Sequence, residues 1–188
     1  MGRWEPDAAG RLREAAMALY TEQGFERTTV AEIADRAGVT ARTFFRHYAD
    51  KREVLFDGTS ALQELFVTSV AEAPESAAPI DMVAAGLDAV SAMFADRRPF
   101  ARKRQAVIMA NAELQERELI KLAALSAALS GALRRRGVAE PAASLTAEAG
   151  LAVFKIGFER WVAEGEERPM EELMRESLDQ LKAVTAGA

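Results

Sequence analysis

Apolar side chains recur every three or four positions along almost the whole chain, and this spacing constrains the fold more than any other feature. Alanine, leucine, glutamate and arginine, which favour helices, dominate the same stretches. No segment alternates polar and apolar residues for long enough to predict a sheet. The sequence therefore predicts an all-α fold of about nine helices, with spans near 7–23, 30–37, 41–48, 51–73, 79–97, 99–111, 113–136, 141–165 and 169–184.

Composition narrows the class of protein. The chain has 188 residues, 49% of them hydrophobic, which is enough for one or two domains with a sizeable core. It contains no cysteine and a single histidine, so disulfides, thiol chemistry and a multi-histidine metal site are excluded. No acid–base pair of carboxylates stands out. We therefore expect neither an enzyme nor a cofactor.

Targeting signals are not apparent either. No apolar run approaches the roughly 18 residues that a membrane span needs. The first residues show no apolar stretch typical of a secretory signal. The simplest expectation is a cytoplasmic protein that does not enter a membrane.

Charge is distributed unevenly along the chain. The net charge is −5, yet residues 1–52 contain nine Arg and Lys against eight Asp and Glu. The acidic excess therefore lies in the remainder of the chain. This asymmetry gives weak support to a nucleic-acid role for the N-terminal segment.

The segment 29–48 predicts two short helices joined by a tight turn. Thr29 and Glu32 have the spacing of a capping box, Gly38 suits the turn, and Phe44 supplies an apolar contact between the helices. Such a unit is either an ordinary helical hairpin or a helix-turn-helix, whose second helix enters the major groove of DNA. In the second case the side chains presented to DNA are Ala41, Arg42, Thr43, Phe45 and Arg46.

The surrounding residues, from Arg11 to Phe56, resemble the N-terminal domain of TetR-family regulators. The resemblance rests on Gly24-Phe25, Thr28-Thr29, Ile33-Ala34, Ala37-Gly38-Val39, Thr43-Phe44, His47-Tyr48, Lys51 and Leu55. It implies a three-helix DNA-binding domain with a helix-turn-helix over residues 1–50. It also implies a helical bundle for ligand binding and dimerisation over residues 51–188.

The same resemblance implies contacts with the DNA backbone. Thr29 would meet a phosphate with its hydroxyl and its amide, and His47 and Lys51 would hold phosphates across the groove. Thr40 and Thr43 would contact the backbone or base edges. For His47, a structural role that braces the helix is the alternative.

Three further positions of the second helix have their own predicted roles. Arg42 is the candidate for recognising guanine, because its planar fork can engage that base at two points. The family often has tyrosine where this chain has Phe45, so one phosphate hydrogen bond is lost and apolar contact with sugar or a thymine methyl remains. Arg46 either contacts DNA or is simply solvated.

The C-terminal part, from Arg97 to Trp161, resembles actinobacterial regulators of the mycofactocin-associated group, which implies an acyl-CoA-like effector. Apolar residues that could line a pocket are Met93, Phe94, Ile108, Met109, Leu122 and Phe154, although they could equally fill a closed core. The segment 97–104 holds five cations. It could clamp an anionic ligand head, contact the DNA-binding domain or be a solvated helix start.

A dimer contact is implied on the last two helices, 141–165 and 169–184. One stripe of alternating four- and three-residue spacing contains Ala143, Ala147, Gly150, Phe154, Gly157 and Trp161, and the last helix adds Met174 and Leu181. Its small residues would let a partner helix approach closely, unless the stripe packs only within its own chain. A two-fold dimer predicts a palindromic operator.

Together these features predict a ligand-responsive transcriptional regulator that binds double-stranded DNA as a homodimer. We expect a repressor that a small, largely apolar effector releases from its operator. The alternative is a dimeric helical carrier of an apolar molecule that does not read DNA.

Overall fold

The computed structural model describes residues 7–186, which form nine α-helices, one 3₁₀ helix and no strand. The helices are α1 (Ala8–Gln23), α2 (Val30–Arg36), α3 (Ala41–His47), the 3₁₀ helix (Glu53–Phe56), α4 (Thr59–Glu72), α5 (Pro79–Phe94), α6 (Arg98–Met109), α7 (Ala112–Arg135), α8 (Ala142–Val162) and α9 (Met170–Ala186). The all-α prediction is confirmed. Within this range no helix combines the length and apolarity needed to cross a bilayer.

The chain forms two compact units. The first unit contains the residues up to Gly58 together with Lys103–Arg117, and the second contains Thr59–Arg102 and the chain from Glu118 onward. Helices α6 and α7 therefore each contribute residues to both units. The division predicted between residues 50 and 51 concerns functional domains and stays a prediction.

Local signals set the helix ends in the first unit. The Thr29 hydroxyl accepts the N–H of Glu32 at 3.3 Å, and the Glu32 carboxylate accepts the N–H of Thr29 at 2.8 Å, which completes the predicted capping box. The Thr40 hydroxyl caps α3 by accepting the N–H of Thr43 at 3.2 Å. Between the two helices Gly38 has a φ of 67°, a left-handed conformation that glycine adopts without a Cβ clash.

The single helix predicted over 51–73 is wrong in its first third. Asp50 accepts the N–H groups of Arg52 and Glu53, the 3₁₀ helix follows, and α4 begins only at Thr59. Three consecutive side chains, Val54–Phe56, are buried, so burial on several sides replaces the one-sided burial of a surface α-helix. The α-helix in this stretch is therefore α4 alone, which has 14 residues and is about 21 Å long.

In the second unit, aromatic rings fill much of the core. The Phe154 and Phe66 rings pack edge-on with 6.1 Å between their centroids, and the Phe94 and Trp161 ring centroids are 5.8 Å apart. Both Phe66 and Trp161 are almost completely buried. The core of this unit is thus closed by side chains of α4, α5 and α8.

The small-residue stripe of α8 packs inside its own chain, which corrects the predicted dimer interface. A Cβ added at Gly150 would lie 2.3 Å from a Val83 methyl group, and one added at Gly157 would lie 2.6 Å from the sulfur of Met174. The other stripe residues Ala147, Phe154, Trp161 and Met174 are buried, and Leu181 is half-buried against the same core. The small residues admit α5 and α9, not a partner helix.

Candidate nucleic-acid interface

Helix α3 has one buried side and one outward side. Phe44 is completely buried and anchors the helix, whereas Phe45 is 58% exposed and meets the Phe44 ring edge-on at 5.5 Å. Thr43 is half-buried, and the outward side consists of Ala41, Arg42, Phe45, Arg46 and His47. The structure therefore leaves the predicted reading residues of α3 exposed around the buried Phe44, with Thr43 half-buried.

Two guanidinium groups stand on this face. Within residues 7–186, neither Arg42 nor Arg46 has a hydrogen-bond partner or an ion pair. Their planar forks are therefore available for acceptors such as guanine O6 and N7 or phosphate oxygens.

Thr40 and Thr43 lie beside each other at the start of α3. Their hydroxyl oxygens are 3.1 Å apart, and Thr40 is exposed. Either hydroxyl can serve as donor in this pair, which leaves a hydroxyl hydrogen free to point outward. Their position is compatible with the contacts predicted for them.

Thr29 does not offer the two donors predicted for it. Its N–H and its hydroxyl both donate to the same Glu32 carboxylate oxygen, each at 2.8 Å. These bonds, the backbone one above all, hold the pKa of Glu32 below its ordinary value. A phosphate could take these donors only after the Glu32 carboxylate moved away. The capping-box spacing in the sequence already indicated that Glu32 would compete with a phosphate for the Thr29 donors.

Lys51 also has a different role from the predicted one. Its ammonium group donates to the carbonyl oxygens of Phe25 at 2.8 Å, Glu26 at 3.2 Å and Thr28 at 3.0 Å. It also lies 4.3 Å from the centroid of the Phe25 ring. Because an ammonium group has three N–H donors, none is left for a phosphate. Lys51 fixes the turn that leads from α1 into α2.

Two tyrosines brace the same unit. The Tyr20 hydroxyl donates to the Lys51 carbonyl at 2.6 Å, and burial raises the pKa of Tyr20. The Tyr48 hydroxyl donates to the Ala9 carbonyl at 3.3 Å, and burial, assisted by the charge of Asp57, raises the pKa of Tyr48 to about 12. Both phenols therefore stay protonated donors at neutral pH.

The 3₁₀ helix is held by arginines distant in sequence. Arg104 donates to the Leu55 carbonyl at 2.7 Å and lies over the Phe56 ring, and Arg117 pairs with Glu53 at 2.5 Å. These partners are 49 and 64 residues apart in the chain. No local sequence pattern indicates such contacts, so they cannot be predicted from the sequence.

The basic segment 97–104 is largely structural. Arg98 stacks on Trp161 and donates to the carbonyls of Glu166 and Arg168. Arg102 donates to the carbonyls of Val162 and Ala163 at 2.9 and 2.7 Å, at the C-terminal end of α8. With Arg104, three of the five cations are hydrogen-bonded to backbone oxygens. Neither an anion clamp nor a solvated helix start describes these three residues, whereas Arg97 and Lys103 are exposed and have no partner among the described residues.

The six residues predicted to line a ligand pocket do not share one cavity. Ile108 and Met109 belong to the first unit, where Ile108 is completely buried and Met109 is 59% exposed. In the second unit, Met93, Phe94 and Leu122 pack against the core and Phe154 is buried within it. A cleft of about 360 Å³ in that unit is lined instead by other residues, among them Ser91, Arg98, Trp161 and Met170.

Two family profiles together match most of the chain. Residues 12–57 match the bacterial regulatory proteins of the tetR family, and residues 77–186 match the MftR C-terminal domain. The first match contains the helix pair α2 and α3, and the second contains helices α5 to α9. Both resemblances found in the sequence are confirmed.

Relatives and solved structures agree with this assignment. The HTH-type transcriptional regulator TcmR of Streptomyces glaucescens is 38% identical over 80 residues, which is 43% of this chain but only 35% of that relative. The fatty acid degradation regulator FadR of Bacillus halodurans superposes with a TM-score of 0.65 at 16% identity, over 96% of this chain and 97% of that one.

A second FadR, the TetR-family repressor of Thermus thermophilus in complex with lauroyl-CoA, has a TM-score of 0.57 at 23% identity, over 93% of each chain. At these identities the two structures show a shared fold. The matched family is one of regulatory proteins rather than enzymes, as the sequence predicts. On the evidence of the two profiles, this chain belongs to the TetR family of bacterial regulatory proteins.

Proposed function

We propose that the protein is a transcriptional regulator that reads DNA with α3. The observation that carries this proposal is the outward side of α3, where Arg42 and Arg46 have no partner among the described residues. A rigid helix that presents unengaged guanidinium groups suits insertion into the major groove. Membership of the tetR family supports the same function.

The residues of the site take distinct roles in this proposal. Arg42 reads a guanine through its two-pronged fork, and Phe45 contacts sugar or a thymine methyl. Arg46, His47 and the Thr40–Thr43 hydroxyl pair contact phosphates and fix the register without reading sequence. Ala41 is small enough to let the backbone of α3 approach the base edges.

The experiment is enrichment of genomic DNA fragments on the purified protein, followed by sequencing and fluorescence anisotropy with the enriched site. We expect one palindromic sequence, with an affinity that falls steeply between about 50 and 200 mM salt because phosphate contacts release counterions. No enriched sequence and no salt dependence would contradict the proposal and favour a carrier that does not read DNA.

We propose that the protein acts as a homodimer through the outward side of α8. This side carries Leu145, Ala149, Ala152 and Ile156 at spacings of four, three and four residues. Leu145 is 66% exposed and Ile156 is 52% exposed, which is unusual for two large apolar side chains on one helix face. A second copy packed on this stripe would cover both and would account for a palindromic operator.

Three variants test this surface by sedimentation. Ala152→Arg should yield a folded monomer with greatly reduced operator affinity, because a charged side chain would lie in the seam. Ala85→Arg, an exposed position on α5, should remain dimeric. Gly150→Arg should instead fail to fold, because it would collide with Val83. A dimeric Ala152→Arg would place the interface elsewhere.

We propose further that a small, acyl-type apolar effector releases this regulator from its operator, so that it acts as a repressor. The T. thermophilus neighbour, solved in complex with lauroyl-CoA, supports this ligand class. Aromatic rings fill the core of the second unit, so an acyl chain has to open that core. Binding then favours one conformation over another, as release from DNA requires.

Isothermal titration with lauroyl-CoA, with and without operator DNA, tests this coupling. If the effector and the operator favour different conformations, each must weaken the affinity for the other by the same factor. We expect a reduction of roughly five- to 150-fold. Equal affinity for lauroyl-CoA in both titrations would show that the coupling is absent.

A further inference from the structure

A cleft of about 550 Å³ lies within the first unit, and none of the roles above uses it. One wall is the C-terminal end of α1 and the turn after it, and the other is the C-terminal half of α6. The lining residues are Tyr20, Thr21, Gln23, Gly24, Phe25, Glu26, Arg27, Lys103, Ala106, Val107, Ala110 and Asn111. This volume falls in the range of small-molecule sites.

The deep part of the cleft is apolar. Tyr20, Phe25 and Val107 are buried residues of its lining, and Ala106 and Ala110 are exposed apolar residues of the same lining. The Tyr20 and Phe25 rings meet edge-on with 5.2 Å between their centroids, so this wall is made of two aromatic rings packed on each other. A flat hydrocarbon group would find a complementary surface here.

The polar part of the cleft carries unengaged positive charge. Arg27 donates through Nε to the Gln23 carbonyl at 2.6 Å, and its two terminal nitrogens have no partner among the described residues. The Lys103 ammonium likewise has none in the described part of the chain. Glu26 is the single carboxylate of the lining and is exposed to water. An anionic group would therefore be attracted to the Lys103 side.

We propose that this cleft binds a small aromatic carboxylic acid, with its rings against Phe25 and Val107 and its carboxylate on Lys103. A compact acid of two fused rings matches both the apolar wall and the cationic rim. Charge-assisted hydrogen bonds from an ammonium group to a carboxylate supply orientation as well as affinity.

The position of the cleft gives such a ligand a route to DNA reading, a consequence that rests on the proposed function. Phe25 lies under the Lys51 ammonium, and its carbonyl oxygen accepts one of the three hydrogen bonds of that group. The turn fixed in this way leads directly into the capping box of α2. A ligand on Phe25 therefore acts on the element that positions the helix-turn-helix.

The test uses 2-naphthoate as the probe and the full chain without DNA. Isothermal titration should detect binding, and amide signals of Gly24, Phe25, Ala106 and Ala110 should shift in ¹H–¹⁵N spectra. Lys103→Gln should weaken binding about tenfold or more, because a charge-assisted bond is lost. Ala106→Phe should abolish binding by filling the cleft, and Ala112→Phe, exposed on α7 outside the cleft, should bind as the unmodified protein does.

Absence of binding at millimolar 2-naphthoate overturns the proposal, and so do amide shifts confined to the second unit. The proposal is also overturned if Lys103→Gln and Ala106→Phe both bind 2-naphthoate as tightly as the unmodified protein does. Because the titration contains no DNA, these outcomes are independent of whether the chain binds an operator. A shift in operator affinity on adding 2-naphthoate, absent in Ala106→Phe, would support the route through Phe25.

Discussion

Two helices of this protein are rich in arginine, and their arginines behave in opposite ways. On α6, Arg98, Arg102 and Arg104 all donate to backbone carbonyls. On α3, Arg42 and Arg46 have no partner in the part of the chain that the structure describes. An anion clamp was one of three interpretations of the longer run of cations, 97–104, but three of its side chains serve the fold. The two arginines of the shorter run, on α3, are exposed.

The difference follows from what lies within reach of each side chain. The last turn of an α-helix leaves carbonyl oxygens without intrahelical partners, and a guanidinium group satisfies several of them at once. Arg136 does the same at the end of α4, where it donates to the carbonyls of Val70, Ala71, Ala73 and Pro74. A guanidinium group that reaches the end of another helix in this way stabilises the fold, whereas Arg42 and Arg46 contact no such end among the described residues.

The largest effect on stability is expected for Lys51→Met. It removes three hydrogen bonds from a charged donor and leaves the turn before α2 unsupported, so we expect a loss of about 3 kcal/mol in the free energy of unfolding. Chemical denaturation measures it. Lys103→Met, at a lysine with no partner among the described residues, should unfold like the unmodified protein. Equal stability of the two variants would refute the structural role of Lys51.

Arg42→Ala should leave stability unchanged and cost about 2 kcal/mol in discrimination between the operator and a site with its guanine replaced. Arg42→Lys retains the charge without the fork, so it should keep non-specific affinity and still lose discrimination. Anisotropy titrations on both DNA sequences measure the two quantities. A uniform loss on both sequences would reassign Arg42 to phosphate contact.

Arg98→Ala should lower stability and leave DNA binding unchanged, the reverse of Arg42→Ala, and its effect should be smaller. We expect a loss of about 1 kcal/mol in unfolding free energy, because the Glu166 and Arg168 carbonyls lose a donor that water can partly replace. Operator affinity should stay unchanged at a temperature where the variant is folded. Arg97→Ala, the exposed neighbour, is the control, and a larger effect there would reverse the assignment of the two residues.

The smallest effect is a pH dependence at Glu32. Its folded pKa is lowered by the Thr29 N–H, so its contribution to stability is present above its unfolded pKa of about 4.3 and disappears as pH falls through the lower folded value. The difference in stability between the unmodified protein and Glu32→Gln should therefore shrink between neutral pH and about pH 3. Thermal unfolding at both pH values checks it, and a constant difference contradicts it.

Features set by neighbouring residues could be predicted from the sequence. The capping box at Thr29, the turn at Gly38 and the exposed face of α3 all depend on side chains within four positions of one another, and all three appear as expected. The family resemblance rests on the same stretch of chain.

Features that depend on distant partners could not be predicted. The Lys51 ammonium group donates hydrogen bonds to carbonyl oxygens more than 20 residues away in the sequence, and no local pattern predicts these bonds. The spacing of Gly150 and Gly157 correctly indicates that a helix approaches closely, but it does not say whether that helix belongs to the same chain. The apolar run Val54–Phe56 fits an α-helix and a 3₁₀ helix equally, and burial on several sides decides between them.

The first unit is discontinuous in sequence, which limits how it can be grafted onto another protein. Ile108 and Leu114 are completely buried, and both belong to the unit that also contains the residues up to Gly58. A chimera joined after Gly58 would leave those two core side chains behind, together with Arg104 and Arg117. A workable fusion has to carry Lys103–Arg117 along, which means splicing within α6 and within α7 so that both helices continue in register into the foreign domain.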